Sequence, residues 1–175
     1  MRSIIASFAA CLATISISFA ADEKSRIDVF FSPDGGGTTA ILNALSKAKS
    51  NILVQAYSFT SAPIAKALVD AHKRAVRVEV ILDASQRSEK QSSADFIRNA
   101  GIRCFIDDQH AKAHNKLMVV DGETVITGSF NFIKAAEEKN AENLLLIHDR
   151  DLANRYTTNW NAHVAHSQPY LGRKK

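Results

Sequence analysis

Cysteine is scarce in this 175-residue chain, which contains only two, Cys11 and Cys104. Cys11 lies in an N-terminal segment that we expect to be removed, so the mature chain would keep one thiol and could form no internal disulfide. Cys104 lies in the apolar stretch IRCFI, which is typical of a buried strand, so we expect an inert core cysteine and not a reactive one. A hydrophobic core, without a disulfide framework, therefore has to hold the fold.

The chain also lacks a convincing membrane-spanning run. Residues 1–20, MRSIIASFAACLATISISFA, carry one positive charge, at Arg2, and no acidic residue, and they end in the small-x-small sequence Ser18-Phe19-Ala20. This pattern indicates a secretory signal peptide, and the run is short and rich in Ser and Ala for a membrane anchor, which is the alternative interpretation. We expect cleavage after Ala20, with Ala21 as the alternative, and export to the periplasm or the medium.

Residues 21–175 contain no low-complexity tract, internal repeat or linker, so we expect one domain there. About 155 residues are enough to bury a proper core. The formal net charge of the full chain is +4, and removal of Arg2 would lower it by one. This mild basic excess permits a nucleic acid or anionic lipid partner without requiring one.

Apolar, β-branched segments alternate with stretches of helical periodicity in this domain. The predicted strands are IDVFFS, NILVQAYSF, VRVEVIL, IRCFI, KLMVV, TVITG and NLLLIHD. The first predicted helix follows the turn DGGG, the second begins near Pro63 and the third stops at Gly101. The last occupies the stretch from Asp151 to Ser167, and its apolar face is formed by Leu152, Ala153, Tyr156, Trp160 and Val164. This order predicts an α/β fold in which a mixed sheet is flanked by helices on both faces.

Reactive side chains surround the predicted hairpin whose turn is Asp121-Gly122. His114 and Lys116 are two residues apart and would share one side of a strand, and Ser129 and Asn131 repeat that spacing after the second strand. The hairpin would bring both pairs together around one point. Such a point suits a phosphate, because Lys neutralises its charge while Ser and Asn bind its oxygens. Spacing alone leaves open a solvated hairpin end with polar residues placed by chance.

The stretch HNKLMVVD followed by GSFN resembles the HxKxxxxD…GSxN signature of the phospholipase D superfamily. The matching positions are His114, Lys116, Asp121, Gly128, Ser129 and Asn131. The segments QAYSFTS, VRVEVILDAS and AENLLLI also resemble that family, so the likeness covers most of residues 21–175. The small exported chain is similar to the bacterial Nuc-type endonucleases of the superfamily. The chain differs from that family at Ala75, where relatives often carry Gly. The difference affects the expected turn at this position but not the catalytic residues.

The resemblance implies a role for each catalytic position. His114 would attack phosphorus and form a covalent phosphohistidine, while Lys116 and Asn131 would hold the non-bridging oxygens with help from Ser129. Glu142 matches an acid that hydrogen-bonds the nucleophilic histidine, which would fix its tautomer. Without the resemblance, Glu142 would be interpreted as a charge at a strand edge.

Two further positions of the signature, Asp121 and Gly128, are expected to be structural, with Asp121 serving turn geometry or an ion pair. The signature occurs once, although the chemistry needs one histidine to attack and one to protonate the leaving oxygen. His110 and Lys112 repeat the HxK spacing but lack the downstream acid and GSxN. A single signature therefore implies a homodimer in which two copies share one site across a two-fold axis.

The stretch DDQHAKAHNK also permits a metal interpretation through Asp107, Asp108, His110 and His114, because H-x3-H spacing resembles ligand pairs on a helix. The signature assigns His114 to nucleophilic attack, and the family that the sequence resembles needs no metal for catalysis. We therefore predict no catalytic metal and no cofactor, and expect these groups to shape the mouth of the cleft.

The predicted reaction is sequence-nonspecific endonucleolytic hydrolysis of DNA, with RNA as a further substrate that the sequence leaves open. Candidates for a nucleic acid groove are Lys112, Lys134, Lys139 and Arg150, unless each is simply solvated. The alternative is a lipid phosphodiesterase or phosphatidyl transferase. No basic amphipathic helix follows the signal and no apolar insertion is evident, so no stable membrane association is expected after signal removal. A DNA-binding protein without activity would not need the nucleophile.

Overall fold

The computed structural model describes residues 25–173. The predicted signal peptide and its cleavage site lie outside these residues and stay predictions. Within them, strands and helices alternate from β1 to α3, after which strands predominate. The strands are β1 Arg26–Ser32, β2 Asn51–Ala56, β3 Arg77–Asp83, β4 Arg103–Asp107, β5 Lys116–Val120, β6 Thr124–Gly128, β7 Glu142–His148 and β8 Gln168–Pro169. The helices are α1 Gly37–Lys47, α2 Ala62–Lys73, α3 Ala94–Asn99, α4 Lys134–Glu138 and α5 Arg150–His166.

All eight strands form one sheet in the order β1-β7-β6-β5-β2-β3-β4-β8. Strands β2, β3 and β4 are parallel, since α2 and α3 provide the crossover connections that parallel neighbours need. The remaining neighbours are antiparallel, including the β5–β6 hairpin. The mixed sheet predicted from the sequence is confirmed.

Helices cover both faces of this sheet, as predicted. On one face the fully buried side chains of Ile41, Ile64 and Ile97 bring α1, α2 and α3 onto the core. On the other face α5 packs alone, and Trp160 lies against the sheet with its Nε1 donating a hydrogen bond of 2.9 Å to the carbonyl of Val54. The site described below lies where several of these strands end.

The hairpin turn is centred on Asp121 and Gly122, whose φ angles are 56° and 65°. The Glu123 amide donates to the Val120 carbonyl at 3.0 Å, but the strand ladder pairs Val120 with Thr124. The connection therefore has three residues, where the sequence predicted two. Glu123 stays outside the ladder because its carbonyl accepts the Asp149 amide instead, at 2.9 Å.

The structure also shows the conformation of Ala75 and the burial of Cys104. Ala75 adopts a φ of 68°, so the turn after α2 survives without the glycine that relatives often carry. Cys104 is buried, and burial raises the pKa of its thiol to about 12, which agrees with an inert core residue. No helix within residues 25–173 is long and apolar enough to cross a membrane.

Candidate active site

The candidate site lies at one edge of the sheet, where β2 and β6 end and β5 and β7 begin. Lys116, the first residue of β5, pairs with Ala56 at the end of β2. Gly128, the last residue of β6, pairs with Leu144 of β7, and Glu142 begins β7. Because antiparallel neighbours reverse direction, residues far apart in the sequence meet at this edge.

His114 lies in the segment just before β5 and not on the strand, where the sequence had placed it. The Asn115 carbonyl still accepts the Tyr57 amide at 2.8 Å, which continues the β2–β5 pairing past the strand ends. The Nζ of Lys116 lies 2.9 Å from the His114 carbonyl oxygen and 3.1 and 3.2 Å from the two ring nitrogens. The expected closeness of His114 and Lys116 is therefore present, although it does not depend on a shared strand.

Tyr57 forms the floor of this pair. Its ring centroid lies 4.4 Å from that of the His114 imidazole, and the Lys116 ammonium lies 5.1 Å from the same tyrosine centroid. A cation over an aromatic face is attracted by the ring quadrupole. Tyr57 therefore limits where the His114 ring and the Lys116 head group can lie.

The environment of Lys116 has opposing effects on its charge. The residue is 7% exposed, and burial lowers the pKa of its ammonium group, while the negative charge of Glu142 acts to raise it. Glu142 thus favours the charged form of an otherwise desolvated lysine. A partly desolvated cation interacts strongly with an anion such as a phosphate oxygen, because little water screens the attraction.

Ser129 and Glu142 interact directly. The Ser129 hydroxyl donates to Oε2 of Glu142 at 2.6 Å and accepts the Asn143 amide at 3.1 Å, while Asn140 donates to Oε1 of Glu142 at 3.0 Å. The hydrogen bond expected between Glu142 and His114 is not formed among the described residues. Both carboxylate oxygens of Glu142 are engaged by neighbours near the β6–β7 connection, and its link to the pair is electrostatic, through Lys116.

The side chain of Asn131 has a buried oxygen, Oδ1, that no neighbour satisfies within residues 25–173. The next residue, Phe132, is fixed because its carbonyl accepts the amides of Thr60 and Ser61 at 3.1 and 2.9 Å. The position of Asn131 is therefore set by the backbone, while its Oδ1 has no hydrogen-bond partner among the residues that the structure describes.

Asp121 occupies the opposite end of the β5–β6 hairpin from His114. Its carboxylate accepts backbone amides of Lys49, Ser50 and Asn51 at distances from 2.7 to 3.1 Å. Burial alone would raise the pKa of Asp121, but these amides favour the ionised form and bring it below the usual value. Asp121 thus anchors backbone amides of another segment, where the sequence analysis expected turn geometry or an ion pair.

The four residues considered as metal ligands, Asp107, Asp108, His110 and His114, do not all lie together in the structure. Arg87 binds Asp108 at 3.0 Å, His114 contacts Lys116, and His110 lies 3.1 Å from a carboxylate oxygen of Asp107. His110 and His114 therefore do not act as a ligand pair. Of the four groups considered, only Asp107 and His110 remain together.

Sequence reasoning missed Tyr57 and Asn140. Tyr57 lies near the end of the predicted strand NILVQAYSF, so an aromatic residue near the end of a strand was the available signal. Asn140 lies two residues before Glu142, and no pattern in the sequence indicated that it would contact the carboxylate.

Comparisons with known proteins agree with this geometry. Residues 41–164 match the family described as "Cardiolipin synthase, PLD-like domain". A protein named phospholipase D from Rickettsia felis is 41% identical over 137 residues, which cover 78% of this chain and 68% of that protein.

Two solved structures share the fold. Nuc from Salmonella typhimurium, described as a phospholipase D family member, superimposes with a TM-score of 0.81 at 37% identity, covering 86% of this chain and all of the other. NucT from Helicobacter pylori superimposes with a TM-score of 0.79 at 20% identity, covering 84% of this chain and 100% of the other. Because the family match spans residues 41–164 and the Rickettsia relative is 41% identical, the chain belongs to the phospholipase D superfamily of phosphodiesterases.

Proposed function

We propose that this phosphodiesterase is an exported endonuclease that hydrolyses DNA without sequence preference and without a metal ion, and that RNA is a further substrate to be tested. The observation that carries the proposal is a groove of about 340 Å³ beside the segment of Asn131, with two lysines in its lining. Lys134, Lys139, Thr60 and Gln91 contribute to its lining. Cationic and polar walls suit a phosphate backbone, which provides contacts that carry no sequence information.

Two of the four groove candidates, Lys134 and Lys139, lie in this lining, although Glu138 is also present there and pairs with Lys134 at 3.4 Å. Arg150 instead forms a salt bridge with Glu123 at the turn end of the hairpin, away from the groove. Lys112 is exposed in the loop before His114. We assign Lys134, Lys139 and Lys112 to the nucleic acid path, and leave Arg150 out of it.

In the proposed mechanism His114 attacks phosphorus, and a P–N bond forms as the P–O bond to the leaving nucleotide breaks. A second histidine gives its proton to the departing oxygen. Lys116 and Asn131 bind the non-bridging oxygens as charge builds on them. Water then attacks the phosphohistidine, losing a proton to the second histidine, and the free phosphate end and His114 are regenerated.

The second histidine is proposed to be His114 of another copy of the chain. Within residues 25–173, the ring that stacks on His114 belongs to Tyr57, and the clustered histidines, His110, His163 and His166, are turned toward Asp107. A two-fold axis through the site would bring two His114 side chains together and give one site per dimer.

A lipid phosphodiesterase is the second candidate, since the Rickettsia relative is named phospholipase D and the matching family is described as cardiolipin synthase. Such an enzyme would need an apolar surface near the site for acyl chains. Lys134 and Lys139 line the groove beside the apolar Ile133 and Ala135, and two cations suit a phosphate backbone better than acyl chains, which favours the nucleic acid substrate.

The test is a comparison of substrates in excess EDTA, with supercoiled plasmid, single-stranded RNA and vesicles of phosphatidylcholine and cardiolipin. We expect the purified mature chain to cut the plasmid and to release no lipid head group. Release of head groups with intact DNA would establish the lipid candidate. Cutting that requires added divalent ions would contradict the metal-independent mechanism.

A further inference from the structure

A second group of titratable side chains lies on the α5 face of the sheet, apart from the His114 site. Its centre is Asp107, the last residue of β4, whose side chain is completely buried. The Nδ1 of His163 lies 2.7 Å from Asp107 Oδ2, and the Nδ1 of His110 lies 3.1 Å from Oδ1. His166 approaches as well, with its Nε2 at 3.3 Å from Oδ2.

The three imidazoles are arranged almost symmetrically around the carboxylate. Their ring centroids are 5.0, 5.2 and 5.3 Å apart, and one ligand atom from each of the four residues lies within 4.8 Å of all the others. Ligand atoms of a tetrahedral zinc site lie about 2.0–2.2 Å from the metal, and so about 3.3 Å from one another. Small side-chain rotations toward the centre would therefore reach that geometry.

His166 provides a second, independent indication. Its Nε2 atom is buried and has no hydrogen-bond partner within the described residues, because its 3.3 Å approach to Asp107 is not aligned for a hydrogen bond. A buried nitrogen without a hydrogen bond is costly in a purely structural cluster. A metal at the centre would satisfy this nitrogen together with the other three ligands.

We propose that Asp107, His110, His163 and His166 form a transition-metal site, with Zn²⁺ as the ion that suits three imidazoles and one carboxylate best. His163 and His166 belong to the last turn of α5, Asp107 ends β4, and His110 lies four residues before His114. The ion would tie the end of α5 to the sheet and fix the loop that leads to His114. It would serve structure, separate from the phosphohistidine chemistry, which uses no metal.

In the sequence, Asp107 and His110 are close to Asp108 and His114, and no metal is predicted for that set. The tertiary structure exchanges those two partners for His163 and His166, more than fifty positions along the chain. The proposed site therefore has a different set of ligands from the metal site considered in the sequence analysis.

The experiment uses the untagged mature chain after removal of metals with a chelator and subsequent dialysis. Zn²⁺ binding is measured by titration calorimetry, and Co²⁺ is added as a probe whose visible absorption reports four-coordinate ligation. We expect one ion per chain and a thermal midpoint raised by about 5–10 °C when free Zn²⁺ exceeds Kd by a hundredfold. Both readouts are independent of cleavage activity, so they succeed or fail separately from the proposed function.

Substitution of the proposed ligands tests where the ion binds. His163→Gln and His110→Gln should each weaken Zn²⁺ binding at least about tenfold and change the Co²⁺ spectrum. The matched control is His72→Gln on α2, which should bind as the wild type does. The His110 side chain is 46% exposed, so that variant decides the result if His163→Gln does not fold. Absence of Zn²⁺ binding, or binding equally strong in His110→Gln and the wild type, would overturn the proposal.

Discussion

The imidazole of His114 is exposed, whereas the ammonium group of Lys116, which contacts it, belongs to a residue that is only 7% exposed. An exposed ring can reach phosphorus in a bound substrate. A buried cation beside it stays in place and acts through little water. Glu142 supports the charge of Lys116 from a distance while its oxygens bind Ser129 and Asn140.

At this scale we predict that His114→Ala lowers DNA cleavage by at least about a thousandfold, because the variant loses the nucleophile and, in a shared site, the acid as well. His114 is exposed, so the melting temperature should change little. Cleavage is measured on supercoiled plasmid, and folding by circular dichroism. His72→Ala is the matched control and should retain full activity; substantial cleavage by His114→Ala would exclude the phosphohistidine route.

Among the elements, the β6–β7 pair places Ser129 and Glu142 side by side, and Gly128 allows the close approach. Gly128 has a φ of 148°, and a Cβ atom there would lie 2.2 Å from the backbone oxygen of Asn143. That distance is far below van der Waals contact, so β6 or β7 would have to move. The glycine of the signature is therefore required by the pairing of these strands.

Gly128→Ala should lower the free energy of unfolding by more than about 3 kcal/mol and reduce activity, because strand displacement moves Ser129. Gly122→Ala is the control. Its φ is also positive, at 65°, but a Cβ atom there meets nothing within 4 Å, so the loss should be about 1–2 kcal/mol. Urea denaturation measures both. Equal losses would show that backbone conformation, and not the contact with Asn143, sets the need for glycine at position 128.

The β5–β6 turn is anchored to the start of β2 by the carboxylate of Asp121, which accepts the amides of Lys49, Ser50 and Asn51. The pKa of this carboxyl is below its usual 3.8 in the folded chain. The ionised carboxylate of Asp121 therefore stabilises the folded chain fully above the pKa of the unfolded state. This stabilisation is lost as the pH falls through the lower pKa of the folded state.

Asp121→Asn should consequently cost about 1–2 kcal/mol of unfolding free energy at pH 7, since hydrogen bonds to a charged acceptor are stronger than those to an amide. The difference from wild type should shrink as the pH falls below about 4, where the aspartate also loses its charge. Urea denaturation across that pH range tests this. A difference that stays constant down to pH 3 would mean that the charge of Asp121 is not responsible.

At the scale of the whole molecule, one signature in each chain makes the proposed site depend on two copies. We predict that mixing equal amounts of wild type and His114→Ala, with subunit exchange, leaves about a quarter of the activity of an equal total amount of wild-type chain, because only dimers with two intact histidines cut. Half of the activity would remain if each chain worked alone. Light scattering of each protein before mixing confirms that both form dimers, and a monomeric wild type that cuts DNA would refute the shared site.

DNA affinity should also fall steeply with salt, because phosphate contacts release counterions. With about three to six phosphates neutralised, log K should fall with a slope of about −3 to −5 against log salt. Fluorescence anisotropy of His114→Ala on a labelled duplex measures binding without cleavage. Lys134→Ala and Lys139→Ala should each reduce the slope by about one, while Lys66→Ala on α2 should not; a flat salt response would point away from nucleic acid.

Most strands and helices, and the signature, could be predicted from local patterns in the sequence. Period-two apolar strands such as VRVEVIL and the helical stripe that includes Trp160 are local patterns, so they fixed the mixed sheet and the helices on both of its faces. The spacing of His114, Lys116, Ser129 and Asn131 around one turn predicted that they would converge at the open end of the hairpin. Short elements escaped prediction, because α4 has five residues and β8 two, and neither length shows a period.

Contacts between distant side chains depend on how the strands and helices pack in three dimensions. Glu142 binds Ser129 instead of His114, and Tyr57, which follows β2, lies under the His114 ring, because strand order places these neighbours together. The same is true of Asp107, whose partners His163 and His166 come from α5 when that helix packs on the sheet. Local patterns depend on the backbone of a few consecutive residues, whereas these contacts depend on the packing of the whole chain, which no spacing in the sequence records.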